Sequence, residues 1–123
     1  MITESVRIER LTMDGRLAAL LLDLSDKPER MTALLDALQM GKLAALGLTD
    51  REAGDAVTLA LSDRTAYEAD PQTLRLSPGD MDMLKDMLID VVIGNTFPGY
   101  HLDLEAASGK GTVDVTFIMM SQL

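Results

Sequence analysis

The stretch from Tyr100 to Met120 constrains the fold more than any other part of the chain. Tyr100, Leu102, Leu104 and Ala106 alternate with His101, Asp103 and Glu105. Ser108-Gly109-Lys110-Gly111 follows, and then Val113, Val115, Phe117 and Met119 alternate with Thr112, Asp114, Thr116 and Ile118. Successive side chains of a strand point to opposite faces, so a period of two separates an apolar face from a polar one. Two such runs joined by a glycine-rich turn spell a β-hairpin. The fold must therefore bury one face of a sheet.

Further strands and two helices follow from the same reasoning. Residues 5–11 alternate, with Val6, Ile8 and Arg10 on one face; Asp14-Gly15 marks a turn, and Leu17 to Leu24 pairs back, although its Leu/Ala content also suits a helix. Asp26-Lys27-Pro28-Glu29 is an N-cap pattern, followed by Met31, Leu34, Leu35 and Leu38 on one helical stripe and by Gly41 as a stop. Residues 49–62 read both ways. Thr49-Asp50-Arg51-Glu52 resembles a capping box, while Val57, Leu59 and Leu61 alternate as a strand. Gly54 costs a helix interior about 1 kcal/mol, so the expectation is a helical turn at 49–54 and a strand at 56–62. A strand over Thr73 to Ser77 follows the Asp70-Pro71 break. The second helix has Ser77 as N-cap, Pro78 at its first position and Asp80 at its third, with an inner stripe of Met81, Leu84, Leu88 and Val91.

No internal repeat or linker is visible. Strand pairs interleaved with two helices predict one α+β domain over residues 1–123. Its expected form is a two-layer sandwich, a mostly antiparallel sheet with two amphipathic helices on one face.

Composition limits the chemistry. Of 123 residues, 20 are acidic and 11 basic, a net charge of −9, and 47% are hydrophobic, which excludes a disordered chain. The charge repels phosphate backbones and anionic membrane surfaces, so neither nucleic acid nor membrane is an expected partner. A turn-like segment at Lys42 to Thr49 is followed by Asp50, Glu52 and Asp55, a poor recognition helix for the same reason. There is no Cys and one His, which removes thiolate metal sites, Cys nucleophiles and disulfides. Gly109-Lys110-Gly111-Thr112 lacks phosphate-loop spacing. No catalytic residue, metal ligand or cofactor is assigned, and carboxylate acid–base chemistry is the one enzymology left. Enzyme activity stays open, with a non-enzyme favoured. The N-terminus has no signal pattern and the longest apolar run, Leu17 to Leu22, is too short to span a bilayer, so a cytoplasmic location is expected.

Two acidic surfaces are candidates for partner binding. The hairpin places His101, Asp103, Glu105 and Asp114 on one polar face, and the second helix carries Asp82, Asp86 and Asp90 at four-residue intervals. Like charges at that spacing mildly destabilise a helix, a small pointer to use. The loop with Phe97 and Tyr100 is the candidate wall of a ligand pocket.

In size, acidity and helix-on-sheet pattern the chain is similar to small secretion chaperones and bacterial toxin-immunity proteins. The resemblance rests on gross character, and a strand at the C-terminal end fits the immunity class better. The leading expectation is a non-enzymatic interaction protein that binds a basic protein partner. The alternatives are a small ligand-binding domain or enzyme with a pocket near Phe97 and Tyr100, and a self-assembling subunit such as a homodimer formed through a strand edge.

Overall fold

The computed structural model describes residues 2–25, 29–39, 46–50, 56–69, 71–109 and 111–121. In chain order the elements are β1 (Ile2–Met13), β2 (Arg16–Asp23), α1 (Glu29–Gln39), β3 (Leu46–Asp50), β4 (Ala56–Leu61), β5 (Ala66–Ala69), β6 (Gln72–Leu76), α2 (Pro78–Val92), β7 (His101–Ser108) and β8 (Gly111–Ile118). The C-terminal hairpin forms as its alternation demands. Leu102, Leu104, Ala106, Val113, Val115, Phe117 and Met119 are buried, while His101, Asp103, Glu105, Thr112 and Asp114 are exposed. At the β1–β2 turn both Asp14 and Gly15 have positive φ, 53° and 74°, the two-residue geometry that suits the twist of a hairpin.

The expected two-layer α+β sandwich is overturned. The eight strands close into a barrel in the order β1-β2-β8-β7-β5-β6-β4-β3, with β3 returning to β1. Two short strands, β3 and β5, account for the difference. The helical turn expected at 49–54 starts in strand β3 at Thr49 and Asp50, its remainder lying outside the described residues, and β5 carries no period long enough to notice. The sheet is also not mostly antiparallel. The four hairpin pairs β1–β2, β3–β4, β5–β6 and β7–β8 are antiparallel, but β1–β3, β2–β8, β4–β6 and β5–β7 are parallel. Two extra strands and sheet twist allow the sheet to curl onto itself. The Asp26 cap, the Gly41 stop and residues 42–45 of the turn-like segment lie outside the described residues; residues 46–49 belong to β3.

The topology repeats although the sequence does not. Each half is hairpin, helix, hairpin, and in each half the first strand of the leading hairpin pairs in parallel with the first strand of the trailing one: β1 with β3, β5 with β7. The halves join through two further parallel pairs, β2–β8 and β4–β6.

The inward rows of the strands make one core with both helices. Val6, Leu22, Leu48, Val57, Leu59, Leu74, Val115 and Phe117 are fully buried, and Met31, Leu34, Met81, Leu84 and Leu88 join them from α1 and α2, which pack on each other. Arg10 ends the inner row of β1 by donating to Gln72 Oε1 at 2.8 Å, and the Tyr67 hydroxyl donates to the same oxygen at 3.1 Å. The second helix is capped as its sequence predicts, the Asp80 amide donating to Ser77 Oγ at 3.2 Å.

Candidate functional site

The barrel brings residues from both chain ends onto one outward face. Register places Asp23 beside Ile118 and Ile118 beside His101; the next row is Leu21, Thr116 and Asp103, and the next Ala19, Asp114 and Glu105. Four of the predicted partner-binding residues, His101, Asp103, Glu105 and Asp114, therefore do share a surface. Asp23 and Ser25 join them unforeseen. Ser25 donates from its amide and its hydroxyl to Asp23 Oδ1, at 2.9 and 2.6 Å. Asp23, Ser25, Gly99, His101, Asp103 and Thr116 border an open depression of about 500 Å³.

His101 sits between two acceptors. Its Nδ1 lies 2.7 Å from the Gly99 carbonyl and its Nε2 3.2 Å from Asp103 Oδ2. Both neighbours are acceptors, an arrangement that favours the doubly protonated ring. The Gly99 carbonyl raises the His101 pKa above the usual 6.5, partial burial opposes it, and Asp103 adds to the rise. Thr116 in turn donates to Asp103 Oδ1 at 2.7 Å. Among the described residues no group of three or more His, Asp or Glu side chains is placed to hold a metal ion.

Glu105 and Asp114 face each other directly across β7 and β8. Neither has a hydrogen bond or ion pair among the described residues. Like charges directly opposed across two strands are destabilising. With Asp103 and Thr116 they border a second open depression of about 480 Å³.

The structure splits the expected Asp stripe of α2. Asp82 and Asp86 are exposed, and Lys85 approaches Asp82 at 3.9 Å. Asp90 is half-buried and accepts a hydrogen bond from the Tyr100 hydroxyl at 2.7 Å. Helical spacing puts Ile89 and Ile93, not Asp90, in line with Asp82 and Asp86; Ile93 is 68% exposed. Phe97 stacks edge-on against Tyr100 with centroids 4.9 Å apart and is itself 60% exposed. These two aromatic residues clamp the loop to α2 through Asp90, and Phe97 lies on the surface.

Asp23 was hidden from sequence reasoning because its neighbours are reached through the parallel β2–β8 pairing. Its one local signal is the Asp-x-Ser spacing of a side-chain-to-backbone turn. No helix among the described residues is long and apolar enough to cross a membrane. In comparisons with known proteins the chain matches no family model, no curated protein and no solved structure.

Proposed function

We propose that the protein is a non-enzymatic interaction module that receives a basic segment of another protein on the outward face of β7 and β8. The observation that supports this most is the direct opposition of Glu105 and Asp114 across β7 and β8, neither having a hydrogen bond or ion pair among the described residues. Their repulsion is a cost in the free protein that a Lys or Arg placed between them removes. The neighbouring Asp103 and Asp23 extend the negative surface, while Arg7, the β1 neighbour of Asp23 in register, is already paired with Glu9. The absence of cysteine suits work in the reducing cytoplasm. A charge of −9 disfavours nucleic acid and anionic membranes as partners.

Titration with octalysine by calorimetry tests this reading. Binding should weaken by about tenfold between about 20 and about 200 mM salt. It should also weaken by about threefold or more when Glu105→Gln is combined with Asp114→Asn, as expected for loss of two exposed ion pairs. Equal binding by the double variant overturns the assignment to this face.

A further inference from the structure

We infer that β7 takes up an extended, basic segment of the partner as an additional strand, laid along its edge away from β8, with Lys or Arg side chains beside Asp103 and Glu105. This rests on the basic-partner reading above and specifies how the partner is held. The first observation is a gap in the barrel. The β1–β3 seam runs through five residue pairs, from Ile2 with Leu46 to Val6 with Asp50, whereas the equivalent β5–β7 seam has one, Ala66 with Ala107. From His101 to Ala106, β7 has a strand partner on one side only among the described residues.

The second observation fixes which groups face that gap. The Ala107 amide donates to the Thr65 carbonyl at 3.1 Å. Alternate residues of a strand aim their main-chain groups at the same edge, so the N–H and C=O of Asp103 and Glu105 point the same way. Among the described residues they have no backbone partner. The helix α2 passes this stretch without pairing with it. It is fixed near one end by Thr65, which accepts from the Ser77 amide at 3.1 Å and also bonds Asp80, and near the other by Asp90 with Tyr100. A helix satisfies its own main chain and offers a strand edge nothing to pair with.

The third observation is charge. A strand added at this edge sets alternate side chains on the outward face beside Asp103 and Glu105, with Asp114 one strand further. A second copy of this chain would bring the same carboxylates and a charge of −9. Lysine or arginine at every second position complements them, and small apolar residues between meet the inward row of Leu102 and Leu104, which keep 8% and 6% exposure where Val115 and Phe117 keep none.

The test is amide hydrogen exchange on the full chain, with a capped alternating Lys-Val octapeptide as probe. Two versions of the probe are N-methylated at alternate residues, one in each phase. The parent peptide should slow exchange at Asp103 and Glu105 by about tenfold or more. One methylated phase should lose binding and the other keep it, because only one set of peptide amides faces β7. Binding of both methylated versions at parental strength, or binding with unchanged exchange at Asp103 and Glu105, overturns strand addition and leaves the charge reading intact. Absence of binding by the parent, together with octalysine binding indifferent to Glu105→Gln and Asp114→Asn, removes both. Slowed exchange at these amides in a peptide-free dimer assigns the edge to a second copy and also overturns the proposal.

Discussion

The two halves of the barrel share a plan and differ in how they close it. In the first, β1 and β3 are zipped through five residue pairs, and the outward face of α1 shows Thr32, Asp36 and Gln39. In the second, β5 is four residues long, one pair joins it to β7, and α2 shows Ile89, Val92 and Ile93 alongside Asp82 and Asp86. The second half replaces strand pairing with side-chain ties, Thr65 to the start of α2 and Tyr100 to its end. Topology alone therefore does not set where a barrel is strong. The extent of strand pairing at each seam differs, and the shorter seam is the one beside the outward Asp103 and Glu105.

If one core unites the halves, damage to either should unfold both. Phe117 of β8 and Leu59 of β4 hold equivalent places and are both fully buried. Phe117→Ala should cost about 3–5 kcal/mol and Leu59→Ala about 2–5 kcal/mol, each in a single urea transition. Two separate transitions would break the comparison at its root. The ties of the second half come next. Ser77→Ala removes the N-cap of α2 and should cost about 1 kcal/mol, with faster hydrogen exchange at Ala107, while amides of the β1–β3 seam keep their rates. A uniform loss of protection in both seams would show that α2 does not act locally on β5 and β7.

Tyr100→Phe deletes the bond to Asp90 and should cost about 0.5–1.5 kcal/mol. The hydrogen bond to Asp90, burial and the nearby Asp86 raise the Tyr100 pKa above 10. Its contribution is therefore full below about pH 10 and is lost as pH rises through the raised folded value. Thermal unfolding of the wild type and the Phe variant should converge at high pH. The smallest effect belongs to His101, which is half exposed. Its folded pKa is raised, so its charge stabilises below about pH 6.5 and ceases to as pH rises through the folded value. An NMR titration should show Asp103→Asn moving the His101 midpoint down; an unmoved midpoint would assign the whole rise to the Gly99 carbonyl.

The elements with a sustained period were legible in the sequence: β1 and the C-terminal hairpin by alternation, α2 by its Ser77-Pro78 cap and its Met81, Leu84, Leu88 stripe; β2 was indicated by the Asp14-Gly15 turn, its Leu/Ala content suiting a helix as well. The closed barrel was not. Leu46-Gly47-Leu48-Thr49-Asp50 is too short and too loop-like to announce β3, and its Thr49-Asp50 imitates a helix cap. The four parallel pairings depend on which strands meet after long connections, and no local pattern encodes that. The candidate site divides in the same way. The polar row of His101, Asp103, Glu105 and Asp114 follows from alternation within one hairpin, whereas Asp23 reaches it through the β2–β8 register. The Asp82, Asp86, Asp90 stripe was a spacing without a geometry: four-residue steps drift around a helix of 3.6 residues per turn, and by Asp90 the side chain has swung round to Tyr100.

That β2–β8 register also governs how the protein is made. Ala19 and Asp114 lie about 95 residues apart along the chain yet sit side by side. On the ribosome the first hairpin emerges early and waits, its β2 edge uncovered, until β8 has been synthesised. Contacts of such long range form late and fold slowly. The nascent protein thus passes through a stage in which the strand carrying Leu20 and Leu22 has no neighbour on one side, and the yield of folded protein should depend on how briefly it stays there.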